Sequence, residues 1–250
     1  FGPRSACFSW WIRPVFMCGR YTITRGEREL TEHFAVQGTL EFQPRFNIAP
    51  TQVVPVIVNE AGPVWRQMRW GLVPFWAKDL SIGAGMINAR GDTLPEKPAF
   101  RRSFQSRRCL VPADGFYEWR INRERVKSPV YFRFKDRGLF CFAGLWDRWQ
   151  SPGGLEVLSF TIITTKANEM ILPVHDRMPV ILAPEDYGLW LDPEETREER
   201  LSPLFRGDPN GTLVYHSVSR VVNSPRTDSL ECVQEVENPV GTDLWGRLAD

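Results

Sequence analysis

The sequence predicts one α+β domain, built mostly from antiparallel strands in a barrel-like sheet with short peripheral helices. Three observations predict it. Runs of β-branched and aromatic residues recur between Val53 and Thr165, each closed by turn residues. The chain carries 20 Pro and 10 Trp, which favour short strands and ordered loops over a helical bundle. No Pro/Ser-rich linker divides its 250 residues, a length that can bury one good-sized core.

The elements follow in chain order. Residues 1–16 begin without Met, and their apolar part is broken by Arg13 and Pro14. They read as upstream sequence or a removable leader rather than a signal peptide, with an ordinary N-terminal strand as the alternative. The expected organisation is a leader over 1–17, a domain over 18–240 and a tail over 241–250. Thr24 to Phe34 reads as a helix, because Thr24 and Glu27 have capping-box spacing and Leu30 and Phe34 share a face. Arg45 to Pro50 reads as a loop. Val53–Val58 is expected to be a buried strand and Val64–Trp70 a second one, followed by a Gly/Pro/Trp loop over Gly71–Lys78. Further strands are predicted over Leu110–Trp119, Val130–Phe134, Leu139–Leu145 and Leu155–Thr165, with Asp136, Arg137 and Gly138 as a hairpin turn. Pro184 and Pro193 are each placed to open a short helix.

Composition excludes several classes. The 31 Lys and Arg nearly balance 30 Asp and Glu, so the net charge of +1 is wrong for a globally basic DNA-coating protein, although a local basic groove survives such averaging. No window approaches the roughly 18 uncharged apolar residues of a membrane span. The five cysteines (Cys7, Cys18, Cys109, Cys141, Cys232) are odd in number and contain no C-x-x-C. A disulfide framework or zinc knuckle is therefore not expected, and a reducing cytosol fits best. No metal or cofactor is expected, and the expected state is a cytoplasmic monomer, nucleoid-associated if bacterial.

Four stretches can carry chemistry: Met17–Arg20, Asn88–Arg90, Gly115–Trp119 and His175–Pro179. Each alone has a plain structural reading. Cys18 fits a small buried hydrophobe, Glu118 a solvated strand residue, His175 a satisfied loop histidine, and Asn88 with Arg90 a turn. The ordered set is more specific. MCGRYT, RFNIAP, WGLVPFWAKD, INARGDT, FRRSFQSRRCLVPADGFYEW, TTKAN, LPVHDRMPVIL and VSRVVN resemble the SRAP (SOS response-associated peptidase) family, in that family's order, from Met17 to about Val240. The resemblance implies a single SRAP domain that binds single-stranded DNA and traps abasic sites covalently, with Cys18, Asn88, Glu118 and His175 catalytic. One departure is Gly91-Asp92, where the family more often has a small or apolar residue followed by Glu. The shorter arm leaves the role of Asp92 open.

The chemistry also stands on the residue types. An abasic deoxyribose opens to an aldehyde. At pH 7 an α-amine of pKa about 7.8 is roughly 14% free base, whereas a lysine amine is only about 0.04%. An N-terminal cysteine adds a thiol that can close on the imine to give a thiazolidine, with the proximity advantage of an intramolecular step. Glu118 can shuttle protons, His175 can hold the sugar and move a proton, and Asn88 can fix the amine or sugar. The expected DNA contacts are Arg20, Arg90 and Arg177 as phosphate clamps, Asn47, and Trp70 and Trp76 as stacking indoles. Core packing is the alternative for Trp70. The four arginines of Arg101–Arg108 either line the DNA path or form a solvated basic face. Cys109, Cys141 and Cys232 read as buried and inert.

The Cys18 nitrogen must first be released, either by Met17 removal or by self-cleavage, as the family name suggests. The rivals are an N-terminal-nucleophile amidotransferase, which also begins Met-Cys-Gly, and a non-catalytic module binding single-stranded nucleic acid.

Overall fold

The computed structural model describes residues 19–122, 125–209 and 211–237. The strands are β1 (Arg20–Ile23), β2 (Arg45–Ile48), β3 (Val53–Asn59), β4 (Pro63–Trp70), β5 (Asn88–Arg90), β6 (Arg108–Ala113), β7 (Gly115–Ile121), β8 (Lys127–Phe134), β9 (Phe140–Gln150), β10 (Glu156–Lys166), β11 (Arg177–Pro179), β12 (Ile181–Leu182) and β13 (Leu213–Ser217). Short helices accompany them: α1 (Glu27–Phe34), α2 (Pro98–Ser106), α3 (Tyr187–Leu191) and α4 (Glu198–Leu201).

Strands β10, β4, β3, β6 and β9 form a closed barrel, because β9 pairs back onto β10 from Gln150↔Glu156 to Gly144↔Ile162. Closure removes free edges from this core. All its pairings are antiparallel except β10 with β4, which runs parallel at Phe160↔Trp70. β5 also pairs with β10 in parallel, and β11 pairs with it antiparallel. A second, antiparallel sheet has the order β13-β8-β7-β1-β2. Its inner face packs on the barrel through Tyr21, whose ring meets Trp70 at 5.1 Å and Phe142 at 5.9 Å edge-on, and through Phe116 against Phe142. Burying each such aromatic contributes about 2–3 kcal/mol. The fold is therefore α+β and mostly antiparallel, as the sequence predicts.

Several boundaries differ, each for a local reason. RFNIAP is not all loop: Arg45–Ile48 is β2, paired at Tyr21↔Ile48. The run Leu110–Trp119 is two strands in two different sheets, broken at Asp114. The Asp114 carboxylate accepts hydrogen bonds from Thr22 Oγ1 and from the backbone N and Oγ1 of Thr24, which fixes the corner. Thr24 is thereby spent and does not cap α1. The cap is Gly26, whose N–H donates to Glu29 at 3.4 Å. Asp136 to Gly138 do turn, with Gly138 N–H donating to Asp136 Oδ1 at 2.8 Å, but β8 and β9 belong to different sheets, so no hairpin forms. Pro184 opens a 3-10 turn leading into α3. Pro193 opens no helix, because the carbonyls of Asp192 and Glu195 accept from Arg108 and the next helix waits until Glu198. Helix α2 has no counterpart in the sequence reading. The sequence-based domain limits at 1–17 and 241–250 fall outside the described residues.

Candidate active site

The expected site residues fall into two groups. The first surrounds the start of β1. Cys18 lies outside the described residues, and its neighbour Gly19 leads directly into β1. The register Arg20↔Tyr117 sets that beginning at the Glu118 end of the β1–β7 pairing. Glu118 is buried on β7 between Tyr117 and Trp119. Arg20 Nη1 donates to Asn47 Oδ1 at 2.9 Å and to the Val222 carbonyl at 2.6 Å, and Nη2 donates to the Asn223 carbonyl at 3.3 Å. Its guanidinium also lies 5.9 Å from the Trp119 ring centroid, and Trp119 Nε1–H donates to Asn223 Oδ1 at 2.7 Å. Burial lowers the Arg20 pKa from its ordinary value, because charge is harder to hold away from water.

Asn47 is 0% exposed. Its amide donates to the carbonyls of Val222 (3.1 Å), Ser224 (3.0 Å) and Thr227 (2.7 Å). The Asp228 carboxylate answers from the other side, accepting the backbone N–H of Phe46 and of Asn47. Asn47 therefore braces the 222–228 segment, with no surface left for a nucleotide. Trp70 is likewise corrected to a core residue: it is 0% exposed and donates Nε1–H to the Ile87 carbonyl at 2.9 Å. Trp76 is 49% exposed and adjoins the equally open Phe75, over which Arg102 lies at 4.7 Å. Of the other arginines near α2, Arg107 pairs with Asp147 and Arg108 is buried among backbone carbonyls, leaving Arg101 and Arg102 exposed.

The second group flanks β10. On one side β5 sets Asn88 opposite Ile162 and Arg90 opposite Thr164, and on the other β11 sets Arg177 opposite Lys166. Gly91 leaves room for the Phe205 ring and the Thr164 carbonyl, which a Cβ there would meet at 2.9 and 3.3 Å. Arg90 donates Nε–H and Nη2–H to the two Asp92 oxygens at 3.2 and 3.0 Å. Arg177 Nη1 reaches the same carboxylate at 3.4 Å, and Nη2 donates to the Thr164 carbonyl at 2.6 Å. The hydrogen bond from Arg90 holds Asp92 below the usual carboxylate range, with the Arg177 charge adding to it. Burial lowers the Arg177 pKa, opposed by Asp92.

His175 is presented by a turn that Asn168 begins. Asn168 Oδ1 accepts Ile171 N–H at 3.1 Å, and the Ile171 carbonyl accepts the N–H of Val174 (2.8 Å) and of His175 (3.0 Å). His175 Nδ1 lies 3.1 Å from the Arg177 N–H and 2.9 Å from Asp176 Oδ1. The first contact has Nδ1 accepting and the second needs a proton on it; burial favours the neutral ring by lowering the pKa from 6.5, against the pull of Asp176.

Sequence reasoning assigned no role to Asn168, Asn223 or Asp114. Each lies in a stretch quoted above, and the signal for the first two was their place inside TTKAN and VSRVVN. Cys109, Cys141 and Cys232 are buried, and burial pushes the first two thiols far above the ordinary thiol range. No helix among the described residues is long and apolar enough to cross a membrane.

Residues 17–225 match the model of the SOS response associated peptidase (SRAP) family. Abasic site processing protein YoqW of Bacillus subtilis is 41% identical over 222 residues, covering 87% of this chain and 99% of that protein. Abasic site processing protein HMCES of Xenopus tropicalis is 33% identical, over 78% of this chain and 67% of its own length. A solved structure from Bacteroides thetaiotaomicron, 26% identical, superposes with a TM-score of 0.79 over 88% of this chain and all of that one. Cys18, Asn88, Glu118 and His175 all lie within the matched span, and the chain belongs to the SRAP family.

Proposed function

We propose that this protein senses abasic sites in single-stranded DNA and forms a covalent crosslink to them through Cys18, once Cys18 is the N-terminal residue. The observation that carries the reading is the family match that takes in Met17-Cys18-Gly19, together with relatives named as abasic site processing proteins.

The steps balance without an oxidant or cofactor. The Cys18 α-amine adds to the open-chain aldehyde carbon, giving a carbinolamine. Loss of the former carbonyl oxygen as water leaves the imine, with Glu118 as the proton donor to the departing hydroxyl. The Cys18 sulfur then adds to the imine carbon while a proton passes to nitrogen, closing the five-membered thiazolidine. The net change is aldehyde plus aminothiol to thiazolidine plus one water. Neutral His175 holds the deoxyribose and moves a proton at neutral pH. Asn88 fixes the amine or the sugar. Arg90 and Arg177 take flanking phosphates, and Arg20, with three donors already given to the protein, keeps others for the strand. Trp76 offers a stacking face. Met17 removal exposes Cys18, since its small side chain permits the cleavage; self-cleavage is the second route.

The test is incubation with a single-stranded oligonucleotide carrying one abasic site. A band that survives denaturation is expected, with a mass equal to protein plus DNA less one water. Cys18→Ala should lose the stable adduct. Equally stable crosslinking by Cys18→Ala, or by a protein verified to retain an acylated Cys18 nitrogen, would refute the mechanism. Salt-sensitive binding with no covalent product would favour the non-catalytic module.

A further inference from the structure

We propose that Asp92 is a positioning residue that couples Arg90 and Arg177 into a single phosphate-binding fork. This inference rests on the reading of those two arginines as phosphate contacts and concerns how they are held.

The two arginines come from separate strands, β5 and β11, on opposite sides of β10. Asp92 stands in the 3-10 turn Gly91–Thr93 that directly follows β5. One of its oxygens, Oδ2, accepts from both guanidinium groups, at 3.0 Å from Arg90 Nη2 and 3.4 Å from Arg177 Nη1. The other oxygen completes a two-point grip on Arg90. Arg177 is fixed on its far side as well, by Nη2 donating to the carbonyl and Oγ1 of Thr164. Its Nε is buried and has no hydrogen-bond partner among the described residues. Arg90 is exposed and makes no other ion pair among the described residues. Without Asp92 it would swing as a long solvated chain.

Net charge and positioning predict opposite outcomes. Deleting Asp92 raises the local charge by one, with Asp176 still near both guanidinium groups, and by charge alone should tighten binding to a polyanion. It also releases Arg90, sets two like charges facing each other unshielded, and removes one anchor from Arg177. Freezing two long side chains on the arriving phosphate then opposes binding, a cost the carboxylate has already met in the free protein. The geometry favours positioning, because a single carboxylate oxygen spans both groups.

The experiment measures binding of an intact single-stranded oligonucleotide, with no abasic site, by fluorescence anisotropy over a salt series. Wild type is compared with Asp92→Ala, Asp92→Asn and Asp92→Glu. Asp92→Ala and Asp92→Asn should bind roughly fivefold more weakly, with the log–log salt slope reduced by up to about 0.7. Asp92→Glu, which returns the charge on a longer arm, should recover most of the loss. A protein in which Asp92 merely stabilises its turn would show equal slopes in all four. A second arm follows the Arg177 Nε–H signal by NMR without DNA, where Asp92→Asn should shift and broaden it. Equal or tighter DNA binding by Asp92→Ala overturns the proposal, as does an unchanged Arg177 signal in Asp92→Asn. Absence of single-stranded DNA binding by wild type would instead remove the phosphate reading on which it rests.

Discussion

Arg20 and Arg90 follow the same sequence logic, each beside an expected catalytic residue, yet the protein treats them differently. Arg20 is folded inward and donates to Asn47 and to two carbonyls of the 222–223 segment. Arg90 stays in solvent and is balanced by a carboxylate that it shares with Arg177. Arg20 gives most of its donors to the protein's own backbone and side chains, whereas Arg90 gives its donors to one exposed carboxylate. Which role a guanidinium takes depends on how many of its donors the fold has already used, a count that neighbours in sequence do not reveal.

The contrast is broken most severely at Asn47. Asn47→Ala takes one donor from each of three carbonyls, leaves that of Val222 to Arg20 alone, and strips Arg20 of a partner. The expected loss is about 3 kcal/mol, read as a fall in Tm of roughly 6–12 °C. Full stability would show that water replaces the amide and that the 222–228 segment needs no brace. Arg20→Ala should follow with a loss of about 1–2 kcal/mol, through the Val222 and Asn223 carbonyls and the Trp119 face. Arg90→Ala should alter stability by no more than about 0.5 kcal/mol, since its ion pair is exposed. It should instead lower the log–log salt slope of single-stranded DNA binding by roughly 0.7. If Arg90→Ala melts as early as Arg20→Ala, the division of labour is wrong.

The smallest effect sharpens the second region. Burial holds the His175 pKa below 6.5 while Asp176 pulls it up. An NMR titration should therefore find a midpoint below 6.5, moved slightly lower again by Asp176→Asn. A histidine lowered in the folded state contributes stability that is present above its unfolded pKa and lost as pH falls through its folded one, so acid destabilises this turn. A midpoint above 6.5 would mean that Asp176, not burial, governs the ring.

Much of this was legible. Long apolar runs such as Val53–Val58 and Leu155–Thr165 announce strands because burial on both faces demands them. RFNI was not legible as β2, because Asn47 looks like a turn former until its amide is seen bracing a distant segment. The Asp114 break was hidden inside an otherwise apolar run, since only tertiary partners, Thr22 and Thr24, make a buried carboxylate tolerable there. Helix α2 was missed because its arginines drew attention as charge, while Phe104 alone anchors its last turn in the core. At the site, the ordered motifs singled out Asn88, Glu118 and His175 as candidates, which remain part of the proposed function. The supports, Asn168 and Asn223, were quoted in the same motifs without a role, because a hydrogen bond to backbone leaves no mark in sequence.

The position of β10 has a consequence for synthesis. It is the only described strand that pairs with β5, and it also closes the barrel against β4. Asn88 and Arg90 therefore have no strand to align on until residues 162–164 have been made and have left the ribosome.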